Sequence, residues 1–232
     1  MKLLLSLWLV FVIGIVDGEV DYDYFYLVLQ WPGSYCNTGK VTCYDDAWEY
    51  RFTLHGMWPQ KDGQGVSCPG SPDFHFNEVQ SGSNNLLGRM DRWWPSFNAA
   101  HKRSNKPFWN TEWKKHGTCT SFTQSEYFEK AISRAEYLNL YLILFKAGIR
   151  PGMQTYTSEI KNEIEMTFNL KPRIQCNEDQ YGTVQLYEIT FCVDKTGTQF
   201  LNCTYSAACN REPIVFPRTY YQSTAQQCSY RS

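Results

Sequence analysis

Histidine is scarce in this chain: His55, His75, His101 and His116 are the four among 232 residues. An imidazole-based zinc centre is therefore hard to build, and Glu112 four residues before His116 lacks the second histidine of an HExxH site. No G-x-S-x-G segment occurs, which excludes the usual nucleophile elbow of a serine hydrolase. No two cysteines stand as C-x-x-C, the commonest half of a structural zinc site. Charge of one sign is also missing: 22 Lys+Arg face 23 Asp+Glu, a net charge of −1, so no global field draws in nucleic acid or an acidic surface. After the first 16 residues no apolar run is long enough to span a bilayer. There is no internal repeat and no long linker, and 43% hydrophobic against 19% charged residues excludes a chain that stays disordered.

What is present begins with a leader. Lys2 precedes an apolar run from Leu3 to Val16, followed by small residues near Gly18, the pattern of a cleaved signal peptide over residues 1–18. Nine cysteines suit the oxidising compartment that such a leader implies. Four bridges would use eight of them, leaving Cys228 in the polar tail as the odd one, free or intermolecular.

Tyr24 to Trp31 and Arg51 to Met57 read as strands, and the Gly-, Ser-, Pro- and Asn-rich stretch from Asp62 to Gly88 as loop. Thr123-x-x-Glu126 is a capping box opening a helix that continues to Lys146, where Gly148 and Pro151 stop it. A second helix covers Ser158 to Phe168. Val184 to Val193 alternates as a strand, with Tyr187, Ile189, Phe191 and Val193 on one face. A turn at Lys195–Thr198 folds the chain back so that Cys192 faces Cys203, which gives that bridge a geometric basis. Central helices with strands on both sides indicate an α+β fold, an antiparallel sheet with packed helices.

Two aromatic segments hold the chemistry. One is Phe52-Thr53-Leu54-His55-Gly56-Met57-Trp58-Pro59, and the other runs from Phe108 to Cys119 with Glu112, Lys115 and His116 inside it. A helical turn would put Glu112 and His116 on one face with Lys115 beside them. Carboxylate, ammonium and imidazole together can hold an anion and move a proton, and His55 would be the second proton carrier. Phosphodiester cleavage asks for that set: a base for a 2′-hydroxyl, a cation for the five-coordinate phosphorus, and an acid for the leaving 5′-oxygen. Residues 89–118 are locally basic, with seven Lys/Arg against Asp91 and Glu112. Trp93, Trp94, Phe108, Trp109 and Trp113 lie among them, either as a stacking surface for single-stranded nucleic acid or as buried rings under a charged face.

FTLHGMWP and FWNTEWKKHGTC resemble the two active-site signatures of the ribonuclease T2 family, and YFYLVLQWPGSYC resembles the opening of its plant S-like members. The resemblance covers Asp23 to Pro217, making residues 19–217 the catalytic domain and 218–232 a C-terminal extension. It implies a secreted or vacuolar, monomeric endoribonuclease for single-stranded RNA, with no metal or other cofactor and no membrane partner. Cleavage would pass through a 2′,3′-cyclic phosphate that is then hydrolysed. Carried over, His116 resembles the general base and His55 the general acid, while Glu112 and Lys115 resemble the pair that stabilises the pentacoordinate phosphorus. Gln30, Trp58 and Phe108 fall where relatives contact bases, with Trp109 a further candidate. The implied bridges are Cys36–Cys43, Cys68–Cys119, Cys176–Cys209 and Cys192–Cys203. One departure is Thr111, where the family often has a phosphate-holding histidine: a hydroxyl can donate a hydrogen bond but brings no charge. The rival readings are an inactive relative kept as an extracellular storage or binding protein, and a disulfide-rich module binding carbohydrate through its aromatics.

Overall fold

In a computed structural model, residues 20–44, 51–204 and 209–218 are described, so the leader, Cys228 and nearly all of the 218–232 extension lie outside the described residues. The fold is α+β. In chain order its elements are β1 (Tyr24–Gln30), α1 (Pro32–Cys36), β2 (Thr53–Lys61), β3 (Gln64–Gly65), α2 (Phe76–Gln80), α3 (Leu86–Trp93) and α4 (Lys106–Glu112). Then follow α5 (Gln124–Leu138), α6 (Leu140–Lys146), β4 (Met153–Thr155), α7 (Thr157–Phe168), β5 (Arg173–Glu178), β6 (Val184–Asp194), β7 (Phe200–Leu201) and β8 (Ile214–Phe216).

The aromatic and branched run of β1 is buried on both faces because it is the middle strand, antiparallel to β2 on one side and to β6 on the other. Phe25, Leu27 and Leu29 enter the main core, while Tyr26 and Val28 form a smaller cluster with Cys192 on the opposite face. Helix α5 lays Tyr127, Phe128, Ala131, Ile132 and Ala135 into the main core, and the Tyr127 hydroxyl donates to the Met57 carbonyl (2.8 Å). The capping box forms, with Glu126 accepting from the Thr123 amide at 2.8 Å.

Three local readings are corrected. The helix expected to run unbroken to Lys146 divides at Asn139, which takes a left-handed conformation (φ 36°) that asparagine tolerates better than most residues. The stretch 62–88 holds β3, α2 and the start of α3. Its buried anchors, Val79 and Leu86, are too sparse to make a periodic pattern. On β6 it is Leu186, not Tyr187, that shares the core with Ile189, Phe191 and Val193, because pairing with β5 slips by one residue across Tyr187.

The four bridges are Cys36–Cys43, Cys68–Cys119, Cys176–Cys209 and Cys192–Cys203. The last closes diagonally: Cys192 pairs by register with Leu201, and Cys203 lies just beyond β7, with the two Cα atoms 5.3 Å apart. Cys68–Cys119 ties the loop after β3 to the segment following α4. Replacing Thr123 by alanine removes the cap of α5 and should cost about 1 kcal/mol. Urea unfolding checks this: the midpoint should fall with the slope unchanged, and an unmoved midpoint would contradict the role of the cap.

Candidate active site

His55 sits where β2 breaks step with β1. Val28 pairs with Gly56 and Leu29 with Leu54, so His55 has no opposite number. Strict alternation from Met57, which is buried in the core, would point His55 inward and Leu54 outward. The extra residue lets Leu54 and Met57 both enter the core and turns the imidazole to the other face. Trp94 closes the exposed strand edge there, its indole N–H donating to the His55 carbonyl (3.1 Å). Across β1, Nδ1 of His55 lies 2.6 Å from Oε1 of the buried Glu188 on β6.

The second motif forms α4 and then widens into a single π-helical turn, Trp113–Gly117, in which the Thr118 amide bonds to the Trp113 carbonyl (3.1 Å). Such turns recur at functional sites. Glu112 is buried and accepts from the Trp58 indole N–H (2.9 Å). The ring of Trp58 stands between the imidazoles, 4.9 Å from that of His55 and 5.4 Å from that of His116. Gly56 makes this approach possible: a methyl there would meet both Trp58 Nε1 and Glu112 Oε2. The structure thus brings His55, Trp58, Glu112, Lys115 and His116 into one patch.

The two histidines differ electrostatically. Burial pushes His116 down to about 4, helped by the positive charges of Lys115 and His55, and its Nδ1 is buried with no protein partner. Burial also works against the charge on His55, but the hydrogen bond and negative charge of Glu188, with Glu112 behind them, outweigh it and raise its pKa above 6.5. Burial raises Glu112 above the usual carboxylate range, opposed by His55, the Trp58 N–H and Lys115. At mildly acidic pH one imidazole is therefore neutral and its neighbour charged.

Lys115 is exposed and, among the described residues, in no ion pair, whereas Lys114 is held by Asp73 at 2.5 Å. Thr111 is exposed, and its hydroxyl donates to the Pro107 carbonyl (2.9 Å), so the proton expected to be free for a ligand is already engaged. Trp109 is no base contact: it is 1% exposed and its indole N–H donates to the Trp94 carbonyl inside the core. Trp94 and Trp113 are buried as well, so of the rings in the basic segment only Trp93 and Phe108 remain partly accessible. Gln30, Phe108 and His55 line a narrow pocket with Tyr35, Ser96 and His101, where Ser96 Oγ and His101 Nδ1 lie 2.6 Å apart. Oε1 of Gln30 is buried there without a partner.

Sequence reasoning passed over Glu188, Tyr35 and Ser96, gave His101 no role, and took Trp94 only as one ring of the basic aromatic stretch. Glu188 alone left a signal, a carboxylate in the otherwise apolar and β-branched stretch of β6. Among the described residues, no group of three or more His, Cys, Asp or Glu is placed to hold a metal ion, and no helix is long and apolar enough to cross a membrane.

The family model for the ribonuclease T2 family matches residues 22–203. Ribonuclease 1 of Arabidopsis thaliana is 38% identical over 194 residues, covering 81% of this chain and 82% of that protein. Extracellular ribonuclease LE of Solanum lycopersicum is 36% identical, covering 82% of this chain and 84% of its own length. Among solved structures, RNase NT in complex with 5'-AMP superposes with a TM-score of 0.76 at 33% identity, over 85% of this chain and 98% of that one.

Gly56→Ala should separate Trp58 from Glu112 while leaving the core intact. Overpacking of this kind costs about 1–3 kcal/mol, and displacement of reacting groups by about 1 Å lowers a rate roughly 100-fold. Chemical unfolding and RNA-cleavage assays on the same preparation check both; full activity in the variant would show that the Trp58–Glu112 approach is dispensable.

Proposed function

This chain belongs to the ribonuclease T2 family, and from that premise we propose that it is an endoribonuclease cleaving single-stranded RNA by two-imidazole acid–base catalysis. The opposite pKa displacements of His116 and His55 carry this reading, because one group must begin without a proton and the other with one. Neutral His116 takes the proton of the 2′-hydroxyl as that oxygen attacks phosphorus. Charged His55 gives its proton to the departing 5′-oxygen, leaving a 2′,3′-cyclic phosphate. In the second half the roles reverse: His55 takes a proton from water as the water oxygen bonds to phosphorus, and His116 returns one to the 2′-oxygen.

Lys115, exposed beside both imidazoles and in no ion pair among the described residues, opposes the charge that builds on the phosphoryl oxygens, and Glu112 offers them its carboxyl. With Thr111 committed to Pro107, the phosphate leans on Lys115 where many relatives would add a histidine, which makes this a slower member of its family. The half-exposed rings of Trp58 and Phe108 supply stacking surfaces, and the orphaned Oε1 of Gln30 is an acceptor for a base N–H. No step calls for a metal. The leader-like residues 1–18 support passage through the secretory pathway to the outside or a vacuole, with residues 19–217 as the working domain, acting as a monomer.

The test is incubation of the disulfide-bonded mature chain with a short RNA and its 2′-deoxy counterpart, in EDTA, across pH 4 to 8. The expected outcome is a 2′,3′-cyclic phosphate from the RNA alone, with a rate that rises as His116 loses its proton near 4 and falls as His55 loses its own above 6.5. His55→Ala and His116→Ala should each abolish it. No cleavage by the folded protein would favour the storage or binding reading.

A further inference from the structure

We propose that Glu188 is the positioning residue for His55, holding the imidazole from across β1 so that Nδ1 is bound and Nε2 alone is left to serve the leaving oxygen. The proposal rests on the two-imidazole reading above. Its observations are geometric. Glu188 is 4% exposed in a strand whose other residues from Leu186 to Val193 are apolar, aromatic or threonine, an unfavourable place for a carboxylate unless it is paired. Its Oε1 lies 2.6 Å from His55 Nδ1, the length of a charge-assisted hydrogen bond.

Both residues reach that contact through a slip in register. His55 is the unpaired residue on β2 between Leu54 and Gly56, and Tyr187 is the unpaired residue on β6 between Leu186 and Glu188. Between them Gln30 of β1 pairs with Thr53 on one side and Glu188 on the other, so the row Thr53–Gln30–Glu188 lies on the face toward which His55 turns. The carbonyl of Tyr187 is fixed by the Trp31 amide (2.8 Å), and that of His55 by the Trp94 indole (3.1 Å). Two irregularities in the strands that flank β1, each pinned by a tryptophan, aim one carboxylate at one imidazole.

Among the described residues, nothing else near His55 can do this. Glu112 comes from α4 but is engaged with Trp58, and from the π-turn Lys115 repels the imidazolium while His116 is neutral above about 4. On the Glu188 side the neighbouring ionisable groups are Tyr187, whose phenol is hydrogen-bonded to Glu188, and, beyond it, Tyr35; burial pushes both further above the ordinary phenol value, so both are neutral. Glu188 is thus the one carboxylate in contact with Nδ1, and the direction of the His55 shift follows from it.

The experiment compares the mature protein with Glu188→Gln and Glu188→Asp. Glutamine keeps an acceptor of the same reach and removes the charge. For Glu188→Gln the alkaline limb of kcat/KM should move down by about one pH unit, and kcat at neutral pH should fall about 10-fold or more with KM within about twofold. Glu188→Asp keeps the charge on an arm too short to hold Nδ1, so it should lower kcat and move the alkaline limb down by less than Glu188→Gln does. NMR titration of the His55 ring in each variant reads the same shift without substrate. An alkaline limb and a His55 titration unmoved in folded Glu188→Gln would overturn the proposal, as would a rise in KM with kcat intact. If Glu188→Gln does not fold, an unmoved alkaline limb with kcat intact in Glu188→Asp overturns it instead. A parent protein that cleaves nothing would overturn the two-imidazole reading itself, a result distinct from an active parent indifferent to Glu188.

Discussion

The one-residue slip between β1 and β2 at His55 is the constraint on which the rest of the site depends. In an unbroken ladder the side-chain period of two would put Leu54 and Met57 on opposite faces, so that burying Met57 would turn Leu54 out and His55 in. The slip satisfies both: Leu54 and Met57 complete the core, and the imidazole comes to the face where Trp58, Gly56 and Glu188 already stand. The indole of Trp94 then bonds to the His55 carbonyl at an edge that, among the described residues, no strand covers. Gly56, lacking a side chain, lets Trp58 meet Glu112, and so fixes α4 and the π-turn carrying His116 against β2.

That geometry makes two identical side chains chemically unlike. His55 is half-buried against a carboxylate, and His116 sits beside an ammonium with an orphaned ring nitrogen. The difference comes from which neighbours are present, since desolvation works against the charged form of both. A protein interior strengthens such pairings because little water screens them. A proton donor and a proton acceptor are thereby set side by side over the same acidic-to-neutral range, the condition a proton-in, proton-out reaction requires.

Much of this was legible in the sequence. Helical spacing put Glu112, Lys115 and His116 on one face, the resemblance of the two aromatic segments to the family's signatures added His55, and the capping box at Thr123 and the strands around Tyr24 and Val184 follow from local pattern. What was not legible is non-local. No periodicity marks the slips at His55 and Tyr187, because each depends on which partner residue is skipped. Glu188 becomes relevant only once β6 lies beside β1, and the burial of Trp109 only once Trp94 accepts its N–H. The break at Asn139 likewise turns on a left-handed backbone that an apolar repeat running through it conceals.

The most direct test of the account is an NMR titration of the ring protons of His55 and His116 in the ligand-free protein. The account predicts that His116 titrates near 4 and His55 above 6.5, so that a window exists in which only His55 is charged. Coincident titrations near the ordinary value, or the reverse order, would contradict it and leave the acid and base without a physical assignment.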